Sequence, residues 1–298
     1  MSKSGFIDIH THGAVGFDIN SATIEEIYRI SDFFKDHGVD RWIPTIMTDT
    51  EERMLSAART VAQAMRHQSR GARILGIHLE GPFLSLMYAG AMPHALLRDG
   101  DISFVENLQK AAEGHILLMT VAPEIPGVLD VIRTYSDSIK ISLGHSNATY
   151  MESMKAIEMG AVCITHTCNA MRLFHMHEPG LLGAALESDV WCEIIVDGIH
   201  LVPGAVRILL KAKGRERILV VTDSMSATGC GDGDYFLGGH NVTVRNNDAL
   251  LAGTAIRAGS VLTMDKAFEN MKKFTGLSDE EILPMFGANQ AEMLGIHY

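Results

Sequence analysis

Cysteine is scarce: Cys163, Cys168, Cys192 and Cys230 are the four in 298 residues. They form no C-x-x-C pair and have no regular spacing, so the sequence carries no disulfide framework. Two of them fall in apolar runs, where a reduced, buried thiol is expected. Positive charge is also short. The 25 Lys and Arg stand against 36 Asp and Glu, a formal net charge of -11, which argues against nucleic acid or an anionic membrane surface as a partner. A small anionic substrate stays open, because a cationic pocket or a metal ion outweighs the global charge locally. No apolar run approaches the ~20 residues of a membrane span, and the N-terminus MSKSGFIDIH has no apolar signal core. A cytoplasmic protein with reduced thiols is the expectation. There is no internal repeat, low-complexity tract or disordered linker.

What is present is a rhythm. Hydrophobic residues make up 47% of the chain, enough for a large core, and short β-branched runs alternate with segments of helical period. The runs cover residues 6–9, 39–46, 74–79, 116–121, 139–143, 161–165, 191–196 and 218–221. Helical segments are expected at 23–36, 51–67, 102–112, from 126, 149–159, 179–187 and 203–211. Eight strand–helix units predict right-handed crossovers and a parallel sheet closed as a (β/α)8 barrel, one domain over residues 1–298. Gly-rich turns across 229–251 break the rhythm and predict a β-hairpin insertion after strand eight, with strands at 235–237 and 241–244. Residues 260–274 and 279–294 read as helices packed on the barrel. Trp42 and Trp191, both in expected strands, are expected in the core.

Six side chains that bind metals well, His10, His12, Glu80, His145, His166 and Asp223, sit at the ends of five of these runs. In a parallel barrel all of them converge at the C-terminal mouth, where barrel enzymes keep their active sites. His10 and His12, two apart on a strand, point to the same side and can chelate one ion. Glu80, His145 and His166 make a three-ligand set with an open position, the pattern of a catalytic metal. Asp223 can be a ligand, a general base, or both. Each feature alone has a bland reading as a satisfied structural or surface group; it is their register that points to a metal-dependent hydrolase.

At these residues the chain resembles the N-acetylglucosamine-6-phosphate deacetylases of the amidohydrolase superfamily. The matching segments are GFIDIHTHG, GIHLEGPFL, LGHSNAT, THTCNAM, EPGLLGAAL, VDGIH, VTDSMSATG and LLAG, in the family's order. The resemblance implies Glu80, His145 and His166 as ligands of one metal and His10 and His12 as the pair that binds a second ion in some members. It implies Asp223 as the catalytic acid/base, with Asn169, Ala170, His200 and Leu251, Ala252 and Gly253 at substrate-contacting positions. One or two divalent ions follow, zinc first, with iron, manganese or cobalt suited to the same donors. A homodimer is implied as well.

Three departures from the family pattern stand out. The small β-sandwich that wraps the family's barrels is expected to be lacking, since almost no sequence lies before the first strand or after the last helix. His177 stands where the family has an Arg that reaches the sugar phosphate. In the loop 86–94, which also supplies the substrate-binding candidates Ala91 and Met92, Met87, Tyr88 and Met92 stand where many members carry Lys and a polar or His residue. Weaker phosphate binding is expected. The expected activity is hydrolysis of the acetamide of an N-acetylated amino sugar, N-acetylglucosamine 6-phosphate first. The alternatives are an amidohydrolase acting on a different N-acyl or unphosphorylated substrate, and a non-catalytic sugar-binding sensor. The strand ending Met119-Thr-Val-Ala-Pro-Glu124 has no lysine to bridge two metals, as many other amidohydrolases do, and this favours the deacetylase branch.

Overall fold

The computed structural model describes residues 5–298. Eight parallel strands run in chain order around one sheet: β1 (Phe6–Thr11), β2 (Val39–Met47), β3 (Ile77–Glu80), β4 (Ile116–Val121), β5 (Lys140–Leu143), β6 (Ala161–Ile164), β7 (Trp191–Ile195) and β8 (Ile218–Val221). Between them lie α1 (Ile24–Asp36), α2 (Glu51–His67), α3 (Ile102–Ala111), α4 (Val128–Tyr135), α5 (Tyr150–Glu158), α6 (Gly180–Glu187) and α7 (Pro203–Lys213). The ring closes between β8 and β1. Asp223 N–H donates to the His10 carbonyl at 2.9 Å, and His12 N–H to the Ser224 carbonyl at 2.7 Å. Lower in the same seam the Asp8 carboxylate accepts the Thr222 hydroxyl at 2.6 Å. The fold is therefore a TIM-type (β/α)8 barrel.

Local chemistry explains the helices. In α1, Ile27, Ile30 and Phe34 recur at helical spacing and are buried against the barrel, while Thr23 and Glu26 form a reciprocal capping box at its start. Thr149 and Glu152 do the same for α5. Among the described residues, no helix is long and apolar enough to cross a membrane. Trp42 is fully buried and donates its indole N–H to the Ala72 carbonyl at 3.1 Å. Trp191 departs from the core expectation: it is half-buried, with the Arg217 guanidinium 4.6 Å above its ring.

Several boundaries differ from the sequence reading. The expected run 74–79 is two pieces, Arg73–Ile74 and β3, because the chain passes Gly76 closely. A Cβ there would lie 2.5 Å from the Leu117 side chain and 2.7 Å from the His115 carbonyl. The insertion is a three-stranded meander rather than a hairpin: β9 (Gly233–Leu237), β10 (His240–Arg245) and β11 (Asp248–Leu251). Its second turn holds Asn246 and Asn247 at φ 52° and 65°, the two left-handed residues that a tight hairpin with this register requires. Residues 260–263 are not helical; Ser260 pairs with Ser224, and α8 spans Met264–Thr275. The last segment breaks at Pro284 and Gly287 into α9 (Asp279–Ile282), a short 3-10 turn (Leu283–Phe286) and α10 (Ala288–Leu294).

Candidate active site at the barrel mouth

All six candidate metal-binding side chains meet at the C-terminal mouth, each nearly or fully buried. His10 lies within β1 and His12 just beyond it, Glu80 is the last residue of β3, and His145, His166 and Asp223 follow β5, β6 and β8. The last three have left-handed backbones, φ 47°, 28° and 50°. Such strain in non-glycine residues persists only where surrounding contacts over-determine it, and it clusters at functional sites.

The six form two triads, His10/His12/Asp223 and Glu80/His145/His166, with the ligating atoms of each within 4.8 Å of one another. Glu80 lies between them. Its Oε1 is 3.1 Å from His145 Nε2, 3.2 Å from His166 Nε2 and 3.4 Å from His10 Nε2, and its Oε2 is 3.1 Å from His12 Nε2. Asp223 Oδ1 is 3.2 Å from His12 Nε2.

The donor set fits a divalent metal. His145 Nδ1 lies 2.9 Å from the Tyr88 carbonyl, which only accepts, so in the neutral ring the lone pair is on Nε2. That atom faces His166 Nε2 at 3.0 Å. His10 Nε2 is buried beside two carboxylates without a hydrogen-bond partner. Ring lone pairs and carboxylate oxygens aimed at common points are what a hard or borderline cation requires.

The same charges shift the titration of the site in metal-free protein. Burial works against protonation of His12, but hydrogen bonds to Asp223 and Glu80 outweigh it and carry its pKa from 6.5 to about 9. Burial raises Asp8 from 3.8 to about 7, against the Thr222 hydrogen bonds. Both folded values exceed the unfolded ones, so each contribution is full below the unfolded pKa and is lost as pH rises through the folded one. Chelated protein is therefore expected to lose stability from pH 3.8 to about 7 through Asp8 and from pH 6.5 to about 9 through His12, most simply followed by urea melts across those ranges. A cation competes for the same position as the His12 proton, so its affinity should climb over the second window. Flat metal affinity from pH 6.5 to 9 would contradict this account.

Except for the fully buried His10, the triads form the floor of a cleft of about 330 Å³, the size of a small-molecule site. Among the residues expected to touch substrate, Ala91, Met92, Asn169, Ala170 and His200 line it. His200 is oriented by Asp197, whose carboxylate lies 2.6 Å from its Nδ1. His177, Leu251, Ala252 and Gly253 do not line it: His177 is exposed, Leu251 closes β11, and Ala252 and Gly253 are exposed beyond it. In their place come Ile256, Arg257 and Gly259. The chain holds two similar runs, Leu251-Ala-Gly-Thr and Arg257-Ala-Gly-Ser, six residues apart. It is the second that Ser260 N–H ties to the Asp223 carbonyl at 2.7 Å.

The sequence reading also missed His78 and Glu193. His78 is fully buried below the two triads, with Thr45 Oγ1 3.1 Å from Nδ1 and Thr120 Oγ1 2.8 Å from Nε2. Burial, and then the neighbouring His10, hold its pKa well below the usual imidazole value. The tripeptide His78-Leu-Glu80 repeats the two-residue spacing of His10 and His12, and that was the available signal.

No family profile matches the chain. Individual relatives do. The N-acetylglucosamine-6-phosphate deacetylase of Bacillus subtilis is 38% identical over 297 residues, covering 98% of this chain and 75% of the relative. The N-acetylgalactosamine-6-phosphate deacetylase of Escherichia coli O157:H7 is 33% identical over 293 residues, covering 98% and 77%. A solved N-acetyl-D-glucosamine-6-phosphate deacetylase of Mycobacterium smegmatis, in complex with N-acetyl-D-glucosamine-6-phosphate, superposes with a TM-score of 0.93 at 36% identity, covering 98% of this chain and 77% of that one. The chain belongs to the N-acetylglucosamine-6-phosphate deacetylase family.

As a member of this family the chain is an amidohydrolase. Deacetylases of the superfamily use a divalent metal, and the two triads are its candidate ligand groups here. Among the described residues, the deacetylase cleft has one permanent cation in its lining, Arg257, held by Asp248 at 3.1 and 3.3 Å.

Proposed function

We propose that this chain hydrolyses the acetamide of N-acetylglucosamine 6-phosphate to acetate and the amino sugar phosphate. The observation that carries this reading is the meeting of both triads, with Asp223 among them, at the floor of one sugar-sized cleft. Glu80, His145 and His166 would hold one divalent ion, and His10, His12 and Asp223 a second, zinc being the first choice and iron, manganese and cobalt suiting the same donors. A bound divalent ion supplies Lewis-acid polarisation of the carbonyl and lowers the pKa of water to about 7.

The protein's own residues do the rest. Burial alone would raise the Asp223 carboxyl, but His10 and His12 hold it below the usual carboxylate range, so it starts ionised. Asp223 takes the proton of the attacking water and delivers it to the departing amine nitrogen. Asn169, Ala170, His200, Ala91 and Met92 shape the sugar pocket. Residues 1–298 act as one hydrolase domain, in the cytoplasm and as a homodimer. The exposed Leu173, Phe174 and Met176 beside the mouth offer apolar surface for a second copy.

The test is acetate release by metal-loaded protein from N-acetylglucosamine 6-phosphate, its unphosphorylated form and N-acetylgalactosamine 6-phosphate. The phosphorylated gluco sugar is expected to give the highest kcat/KM. Similarity to a relative named N-acetylgalactosamine-6-phosphate deacetylase makes the epimer the second reading. No acetate from either phosphorylated sugar, with metal bound, would overturn the proposal.

Arg257 is the group we assign to the phosphate end. Arg257→Ala is expected to raise KM for the phosphorylated sugar about tenfold, the worth of one charge-assisted hydrogen bond at ~1.5 kcal/mol. The unphosphorylated sugar should be unaffected. Equal effects on both substrates would remove Arg257 from that role.

A further inference from the structure

Glu193 sits in the middle of β7, in the run Trp-Cys-Glu-Ile-Ile, and is fully buried. A carboxylate there is costly unless its charge is answered by specific partners. It does not line the cleft and so has no access to substrate. Its Oε2 lies 3.0 Å from His10 Nδ1 and accepts the backbone N–H of His166 at 3.1 Å. The other oxygen, Oε1, makes no hydrogen bond. One carboxylate oxygen therefore holds one residue from each triad.

The two contacts do different things. With the His10 Nδ1 proton directed at Glu193, the neutral ring has its lone pair on Nε2. That atom is otherwise unpartnered, 3.4 Å from Glu80 Oε1 and 3.6 Å from Asp223 Oδ1. This is the tautomer and orientation a ligand needs, and outer carboxylates fix it in many metal sites. At His166 the same oxygen anchors the N–H of a residue whose φ is 28°, a backbone that needs an outside restraint.

We propose that Glu193 is a positioning residue that sets the ligand geometry of both triads at once, through the tautomer of His10 and the backbone of His166. The inference rests on the reading of the triads as metal sites. It extends that reading to a residue that touches neither cleft nor substrate.

Full-length wild type, Glu193→Gln and Glu193→Asp are stripped with chelator and titrated with Zn²⁺ and Co²⁺, with His10→Gln marking which ion depends on His10. In E193Q the His10-dependent ion is expected to be held about 10- to 100-fold more weakly. The visible spectrum of the Co²⁺ protein should change, and kcat should fall with KM unchanged. E193D, which keeps the charge, is expected to recover part of the affinity. Wild-type affinity and spectrum in E193Q would overturn the inference. So would a lower Tm with metal binding intact, failure of both Glu193 variants to fold, or metal binding that does not change in H10Q. Wild-type protein that binds no metal at all would overturn the metal-site reading along with it.

Discussion

Asp223→Asn is expected to lower kcat by about 10²–10⁴-fold, the range attributed to a positioned general acid/base. Asparagine keeps the shape of the side chain but cannot take a proton, so both halves of the proposed transfer are lost. The Glu80/His145/His166 triad contains no atom of Asp223, and its ion should be retained. The His10/His12/Asp223 triad loses a charged donor, so metal content should fall by no more than the ion held there. The measurement is kcat beside metal content on the same preparation. A variant within a few-fold of wild-type turnover would end the assignment of Asp223 as acid/base, and a variant stripped of all metal would make it mainly a ligand.

Glu80→Gln should have a still broader effect. Four imidazoles face this one carboxylate at 3.1–3.4 Å, from both triads. Burial raises its pKa, but His10 and the hydrogen-bonded histidines more than reverse this and hold it well below the usual carboxylate range. It is therefore the negative centre about which both proposed ions would be held. Substitution by a neutral amide removes that charge, and metal binding and turnover should both drop to background. Metal that binds only the folded state stabilises it by about 4 kcal/mol at a thousand times its Kd. Added Zn²⁺ should thus raise the Tm of chelated wild type and leave that of E80Q unmoved. A Zn²⁺-dependent shift of wild-type size in E80Q would show that Glu80 is dispensable to the site.

The parts of this protein legible in its sequence are those decided within a few residues. Hydrophobic period marks the helices, so Glu51–His67 is read to its ends, with Met54, Ala57, Ala58 and Val61 on its buried face. Short apolar runs mark the eight strands, and a ligand-type residue at the end of five of them marks the mouth. Boundaries slipped where a distant contact intervened, as at Gly76, where Leu117 and His115 leave no room for a side chain.

Barrel closure decided the rest, because it brings together groups far apart in the chain. Glu193 looks like any polar residue in a strand until it meets His10, 183 positions away. Asp8 acquires its seam role only from Thr222, 214 positions away. Two alanine-glycine runs are near-equivalents as sequence, yet only Arg257 to Gly259 can reach the cleft, since Ser260 pairs with the loop that carries Asp223. Residue type and spacing thus determined which chemistry is available. Which atoms face one another was left to the packing of the closed barrel, because hydrogen-bond and coordination distances are set in space and not along the chain.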